Sequence, residues 1–374
     1  MDFDFSEDQQ SLRDAVRRWV DKDYGFEHRR GIVREGGFSR AAWDGLAGLG
    51  LCALAVPEAF GGMGLGPVDA MVVMEELGRG LVLEPYAQAA LMAPALLARA
   101  PQGLQAAWLP RIASGESLVV LAHQERAARY RLDRVSAQAE AGADGGFALT
   151  GSKSIVPAGS HADAFIVPAR HGGGIALFLV ERQAAGVSTR AYVLQDGSAA
   201  AELNLDQASA RLLVGTGEGL AVLELGVDVG IAALAAEAVG AMEKIIAVTA
   251  DYMNTRKQFG VTIASFQALR HRIADVKMQL ELARSMSYYA TLKLREPAPA
   301  RRYALSQAKV QLGQAMRFVG QQCTQLHGGI GVTDEYISSH YFKRLTVMEM
   351  QFGDTLHHLG QASANMGEQA GVFA

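Results

Sequence analysis

Gly219 to Ala250 is the stretch that most limits what this chain can fold into. It is apolar and long enough to span a bilayer. It also carries Glu224, Asp228, Glu237, Glu243 and Lys244. Ionised side chains at membrane depth are costly unless enclosed by protein. The run therefore reads as a buried helix at the centre of a helical packing. Such a helix needs other helices around it, and the rest of the sequence has to supply them.

Helical periodicity returns on both sides of a differently textured middle. Ser6 opens a Ser-x-x-Gln capping box with Gln9, Phe5 precedes it as a staple, and Leu12, Val16, Trp19 and Val20 recur at helical spacing. Val56-Pro57-Glu58 breaks the helical pattern, and Gly61 to Gly66 reads as a loop. No β-branched strand runs into that loop, so it is not a dinucleotide fingerprint. Helices are expected at Pro67 to Gly78, Pro85 to Arg99 and Leu104 to Ala113. From Leu118, short apolar runs alternate with Gly, Asp and Ser. Strands are expected at Leu118 to Ala122, Phe147 to Thr150, Ala164 to Pro168, Ile175 to Val180 and Ala201 to Leu205. Beyond Leu220 the helices expected are Ile231 to Met253, Phe266 to Arg295, Ala300 to Leu326, Tyr341 to Met350 and Thr355 to Met366. The expectation is an α+β chain. An N-terminal helical domain covers 1–117, a middle β domain 118–219 and a C-terminal helical bundle 220–374.

Composition removes several function classes. A net charge of −4 with no clustered basic excess argues against a nucleic-acid binder. Cys52 and Cys323 stand far apart without a CxxC, which excludes a disulfide framework and a zinc cluster. The nine histidines show no ligand-like spacing, so no metal is expected. The acidic start Met-Asp-Phe-Asp-Phe-Ser-Glu-Asp lacks the basic character of secretory and mitochondrial signals, and a cytoplasmic location is expected.

Two segments carry chemistry. In Arg256-Lys257-Gln258-Phe259-Gly260 a basic residue ends a long helix and a glycine permits a turn. A guanidinium there suits a pyrophosphate, and equally suits the helix C-terminal dipole. In Gln325-Leu326-His327-Gly328-Gly329-Ile330-Gly331 the glycines admit close approach of a ligand to the backbone, or simply cap a helix.

Taken together, about 70 residues apart in a helical domain, these segments resemble the acyl-CoA dehydrogenase family. The resemblance extends to Pro57-Glu58, Phe60-Gly61-Gly62 and the helix end Glu75-Glu76-Leu77-Gly78. A narrower likeness is to small subunits of pimeloyl-CoA dehydrogenases. It rests on Ala122 to Arg126, Gln195-Asp196-Gly197, Ala235 to Met242, His340 to Arg344 and Phe352-Gly353-Asp354. The family likeness implies a middle domain of β-barrel type, a C-terminal four-helix bundle and FAD as cofactor. It implies that Arg256 binds the pyrophosphate of a neighbouring subunit's FAD, with Phe259, Ile263 and Gln267 lining it. Gln325, Gly328 and Gly329 would pass beside the FAD at the dimer interface. Gln124 would lie by the flavin ring, and Asp354 or Thr355 near the flavin. The implied reaction is α,β-dehydrogenation of an acyl-CoA, with a dicarboxylyl-CoA as one candidate. The implied partners are electron-transfer flavoprotein or a similar acceptor, and a homodimer, tetramer or heteromer with a related large subunit.

Departures from the family pattern fall at the chemistry. Lys153-Ser154-Ile155-Val156-Pro157 stands where the family has Lys-x-Trp-Ile-Thr, so no Trp covers the flavin face. The family's catalytic Glu position, counted from His327-Gly328-Gly329, falls on Phe352, and its alternative falls on Gly230. A carboxylate close to the substrate α-carbon is required to take its proton. Asp354 is the nearest acid and the candidate base, with Asp228 and Glu349 as weaker candidates. The alternative is a subunit with no base, which completes a partner's site. Arg126, Arg129 and Arg131 either meet an anionic group of the substrate or form a solvated loop.

Overall fold

The computed structural model describes residues 4–142 and 146–369. The N-terminal helices are α1 (Glu7–Asp23), α2 (Phe26–Arg34), α3 (Arg40–Gly48), α4 (Pro67–Arg79), α5 (Ala93–Leu97) and α6 (Gln102–Ala113). A π-helical stretch, Ala87–Met92, runs into α5. The capping box of α1 forms: Gln9 N–H donates to Ser6 Oγ, and Ser6 N–H to Gln9 Oε1. Ser39 caps α3 in the same way, through Ala42 N–H.

Strands follow: β1 (Val119–Leu121), β2 (Gln138–Ala141), β3 (Phe147–Pro157), β4 (Ala164–His171), β5 (Gly174–Glu181), β6 (Val187–Val193) and β7 (Ala199–Val214). Antiparallel pairing runs β4 to β5, β5 to β7, β7 to β3 and β3 to β2. The parallel pair Gln138↔Arg170 returns β2 to β4 and closes the ring. A closed sheet has no open edge in the ring itself. β1 lies parallel beside β4, and β6 antiparallel beside β7. Phe165, Phe178, Val167 and Leu203 fill the interior. The register of β3 on β7 shifts between Lys153 and Val156. Ile155 sits in that irregularity with φ +51°, and a bulge of this kind re-aims a side chain.

The remaining elements are α7 (Gly219–Thr255), the short strands β8 (Lys257–Gln258) and β9 (Val261–Thr262), α8 (Gln267–Lys293), α9 (Ala298–His327), α10 (Ile337–Met350) and α11 (Thr355–Gln369). α7 is long and apolar enough to cross a membrane, but 72% of its most apolar window is buried within the protein. Two of its charges are paired: Glu237 accepts from Arg344 Nε at 2.6 Å, and Glu243 faces Arg284 at 3.4 Å.

The chain forms two compact units that cut across the segments 1–117, 118–219 and 220–374. One comprises Met1–Arg29, Pro67–Val82 and Ile231–Ala374; the other comprises Arg30–Gly66 and Leu83–Gly230. In the first unit α4 and α7 meet backbone to backbone. A Cβ on Gly240 would lie 1.8 Å from the Glu75 carbonyl oxygen, and one on Gly78 2.0 Å from that of Glu237. In the second unit Trp43 is fully buried and donates to Gly115 O, while Tyr86 OH donates to Leu51 O. Among the described residues, no group of three or more His, Cys, Asp or Glu is placed to hold a metal ion.

Candidate functional site

The end of α7 turns back on itself. Arg256 N–H donates to Tyr252 O at 2.8 Å, and Ile263 N–H returns to Arg256 O at 2.9 Å. Between them β8 and β9 pair Lys257 with Thr262 and Gln258 with Val261. The two-residue loop has positive φ at both positions, +52° at Phe259 and +81° at Gly260. That is the backbone of a type I′ hairpin. The hairpin holds Phe259 out at 92% exposure. Arg256 and Gln267 are exposed, and Ile263 is buried beneath them.

The second segment sits against the first. Leu326 packs with Met253 and Ile263, and Tyr252 and Phe266 lie against this cluster. Residues read separately along the chain, Arg256, Phe259, Ile263 and Gln267 on one side and Gln325, Gly328 and Gly329 on the other, thus border one small core. Gly328 has φ +65°, which L side chains rarely adopt, and a Cβ on Gly328 or Gly329 would meet open space. Both glycines and Gln325 are exposed. Among the described residues the Arg256 guanidinium has no hydrogen-bond or ion-pair partner. An unpaired guanidinium beside uncovered backbone is what a pyrophosphate group requires.

The third segment is the turn after α10. Phe352 is half-buried with φ +58°, and Gly353 follows at φ +112°. A Cβ at Gly353 would lie 2.6 Å from atoms of His357 and His358, so a glycine is needed there. Asp354 Oδ1 accepts from His357 N–H at 2.8 Å, which makes Asp354 the cap of α11. Thr355 donates to Glu349 Oε1 through N–H at 3.1 Å and through its hydroxyl at 2.7 Å, and Arg317 reaches the same oxygen at 3.3 Å.

Beneath the turn, Lys309 is fully buried and donates to the carbonyls of Met348 and Glu349 at 3.0 and 2.8 Å. Burial pulls its ammonium down to about 7, against the opposing pull of Glu349 and Asp354. His358 Nε2–H donates to Phe352 O at 3.0 Å, and its Nδ1 faces Ser306 Oγ at 3.3 Å. Burial, with Lys309 nearby, pushes that imidazole down to about 3. Ser306, Lys309, Gly313 and Arg317 recur every three or four residues along α9, so one helix face grips the turn from below. Gly313, under Thr355, stands 14 residues from His327 on α9. At ~1.5 Å per residue the turn and the Gly328 loop are about 21 Å apart along that axis.

In the β ring, Gln124 is half-buried and its carbonyl accepts from Ser154 N–H at 2.8 Å. Glu125 pairs with the fully buried Lys153 at 2.6 Å and accepts from Ser136 and Ala137 N–H. Burial raises the Glu125 carboxyl, but Lys153 and these N–H donors win and hold it below the usual range. Ile155, where the family carries Trp, is 42% exposed. The loop arginines are engaged: Arg126 with Glu202, Arg131 with Asp133, and Arg129 over the Tyr130 ring.

Tyr252 and Lys309 escaped sequence reading, and His327 was singled out only as part of the glycine segment. The recurrence of Ser306, Lys309, Gly313 and Arg317 is the one signal that was available for the grip on the turn.

Models of the acyl-CoA dehydrogenase C-terminal and N-terminal domains match residues 217–366 and 6–116. The chain belongs to the acyl-CoA dehydrogenase family. It is 29% identical to acyl-CoA dehydrogenase FadE27 of Mycobacterium tuberculosis, over 98% of this chain and 99% of that protein. Among solved structures, a chain of the ChsE4-ChsE5 complex from Mycobacterium tuberculosis superposes with a TM-score of 0.88 at 29% identity, covering 99% of this chain and 100% of that one. A chain of the Tcur3481-Tcur3483 steroid ACAD superposes at 0.89 and 28%, covering 98% and 99%. As a member of this family the protein is a flavoprotein oxidoreductase, and its cofactor is FAD. The unpaired Arg256 and the uncovered Gly328 and Gly329 fit that cofactor.

Proposed function

We propose that this chain is the base-lacking subunit of a heteromeric acyl-CoA dehydrogenase. It would take part in converting an acyl-CoA to the trans-2-enoyl-CoA, while a related subunit supplies the catalytic carboxylate. Phe352 carries this reading. It occupies the family's Glu position with a hydrocarbon ring, and the neighbouring acids have structural work. Asp354 caps α11, and Glu349 holds Thr355 and Arg317. A carboxylate committed to a helix cap is a poor base, because protonation would cost that cap. The two-component names of the ChsE4-ChsE5 and Tcur3481-Tcur3483 structures point the same way. So does the narrower likeness to pimeloyl-CoA dehydrogenase small subunits.

In this reading Arg256 holds a pyrophosphate bidentately, Phe259 and Ile263 give that site an apolar wall, and Gln267 and Gln325 donate to polar atoms at its rim. Gly328 and Gly329 let the backbone approach. The distance of about 21 Å between that loop and the Phe352 turn supports two cofactor half-sites on one chain, each completed by a neighbour. Thr355 belongs to the second half-site, and the family likeness gives Gln124 a place by a flavin ring. Bound FAD supplies the hydride acceptor for the β-hydrogen. Electron-transfer flavoprotein or a similar acceptor would reoxidise it, in the cytoplasm. The paired state of Arg126 and Arg131 weakens the case for a dicarboxylyl substrate, and the steroid ACAD likeness favours a bulkier acyl group.

Anaerobic titration of the flavin with a panel of straight-chain, dicarboxylyl and steroid-derived acyl-CoAs tests this. The flavin of the chain alone should not bleach, and the complex with a Glu-bearing relative should bleach. Bleaching by the chain alone overturns the proposal and returns Asp354 as the base. Asp354→Asn should then slow reduction by about 10²–10⁴-fold.

A further inference from the structure

His327 ends α9 in a setting that its neighbours in sequence do not explain. It is 3% exposed. Its Nδ1 lies 2.8 Å from Cys323 O, so this nitrogen carries the proton and donates, with Ser338 Oγ at 3.4 Å beside it. Its Nε2 is buried and has no partner. A second proton there would place an unpaired N–H⁺ away from water, which is far costlier than an idle lone pair. The ring packs against Tyr252 at 4.8 Å and 33° and against Tyr336 at 5.1 Å and 57°. Tyr252 is the residue whose carbonyl receives Arg256 N–H. On the other side Gly331 folds back so closely that a Cβ there would sit 2.8 Å from His327 Cβ.

We infer that His327 is a positioning residue of the cofactor half-site, the joint that sets Gly328 and Gly329 against the Arg256 hairpin. The inference rests on the assignment of Arg256, Gly328 and Gly329 to FAD. One ring fixes the end of α9 through Cys323, the end of α7 through Tyr252 and the approach to α10 through Tyr336. Displacing it frees the glycine loop and the hairpin from each other without touching either cofactor-facing segment.

Protonation is the natural way to displace it. The titratable groups packed round the ring are Tyr252 from α7 and Tyr336 before α10, with Asp251 acting on Tyr336. Burial lowers the imidazole below its ordinary 6.5, the Cys323 carbonyl opposes this, and among the described residues no carboxylate or cation acts on the ring. The seated ring is therefore neutral, and the released ring titrates at its ordinary value. The contribution to cofactor binding is complete above about 6.5 and declines as pH falls, by up to tenfold per pH unit.

FAD dissociation from the holoprotein, followed by flavin fluorescence from pH 8 to 5.5, tests the joint. The parent should release FAD increasingly fast below about pH 6.5. His327→Phe keeps the ring packing and cannot titrate, so it should match the parent at pH 8 and flatten the acid limb. His327→Ala should weaken FAD about tenfold at pH 8, with the gap to the parent closing as pH falls. Arg256→Ala is the control for the half-site. If Arg256→Ala loses FAD while His327→Ala binds like the parent, the joint is refuted and the half-site stands. If Arg256→Ala also binds like the parent, the half-site itself fails. Should neither His327 variant fold, a parent whose FAD release is flat from pH 8 to 5.5 overturns the inference on its own.

Discussion

Lys153 is fully buried, and its charge is tolerated because Glu125 and the Pro168 carbonyl lie 2.6 and 2.7 Å away. Glu125 in turn takes two backbone N–H groups from the segment that leads into β2. This pair fixes the loop on which Gln124 sits, which is why a departure from the family's usual residues keeps the loop in place. Lys153→Met would leave Glu125 buried without its cation, at a cost of about 3–5 kcal/mol. Replacing both partners, Lys153→Met with Glu125→Leu, should recover most of that loss. Urea unfolding of the single and double variants decides it; equal losses in both would show that the orphaned Glu125 charge is not the source of the cost.

Helix contacts in the first unit hinge on a carboxyl between α1, α4, α7 and α8. Gly240 lets α7 approach the Glu75 backbone, and the approach buries the Glu75 side chain. Burial raises this carboxyl to about 7, with Arg13 and Arg284 opposing and Glu243 and Glu76 adding to the rise. Arg13 stands 2.8 Å away, yet Glu75 Oε1 has no partner. The folded state therefore keeps a proton that the unfolded chain gives up at the ordinary value near 4.5. Stability falls as pH rises through that window and levels off above about 7. Glu75→Gln removes this slope, so its melting temperature should gain on the parent's from pH 5 to about pH 7 and hold that gain to pH 8. A constant difference between the two proteins over that range would disprove the account.

At the scale of the whole molecule, the most exposed large apolar side chain among the described residues is Phe259, at the tip of a hairpin. A ring held out at 92% exposure contributes almost nothing to the stability of its own chain. It is suited to a pocket on a neighbour. Phe259→Asp should leave the unfolding free energy of the flavin-free chain within about 0.5 kcal/mol of the parent's and reduce both flavin content and oligomer mass. Unchanged flavin content and mass, measured by absorbance and light scattering, would remove Phe259 from the interface and from the cofactor site.

The sequence by itself determined what depends on near neighbours. Helix period, the Ser6 cap, the break at Pro57 and the turn at Phe259-Gly260 are set within a few residues, and so α8 to α11 lie close to where the pattern puts them, while α7 begins at Gly219, well before the Ile231 expected. The strands with apolar runs, β1, β4 and β5, were legible for the same reason. β2 and β6 were not: their patterns are mostly exposed, and they are strands because β3 and β7 lend them partners. Pairing across the ring, the membership of α1 and α4 in the unit of the C-terminal helices, and the grip of Lys309 on residues about 40 positions away were decided only by tertiary structure. The candidate site divides along the same line. Arg256, Gly328 and Gly329 stand in short local motifs and could be read in order. Asp354 drew notice as an acid, but the cap it forms exists only once α11 starts beside it. Burial and hydrogen bonding depend on which segments arrive together, and a linear pattern holds no record of that.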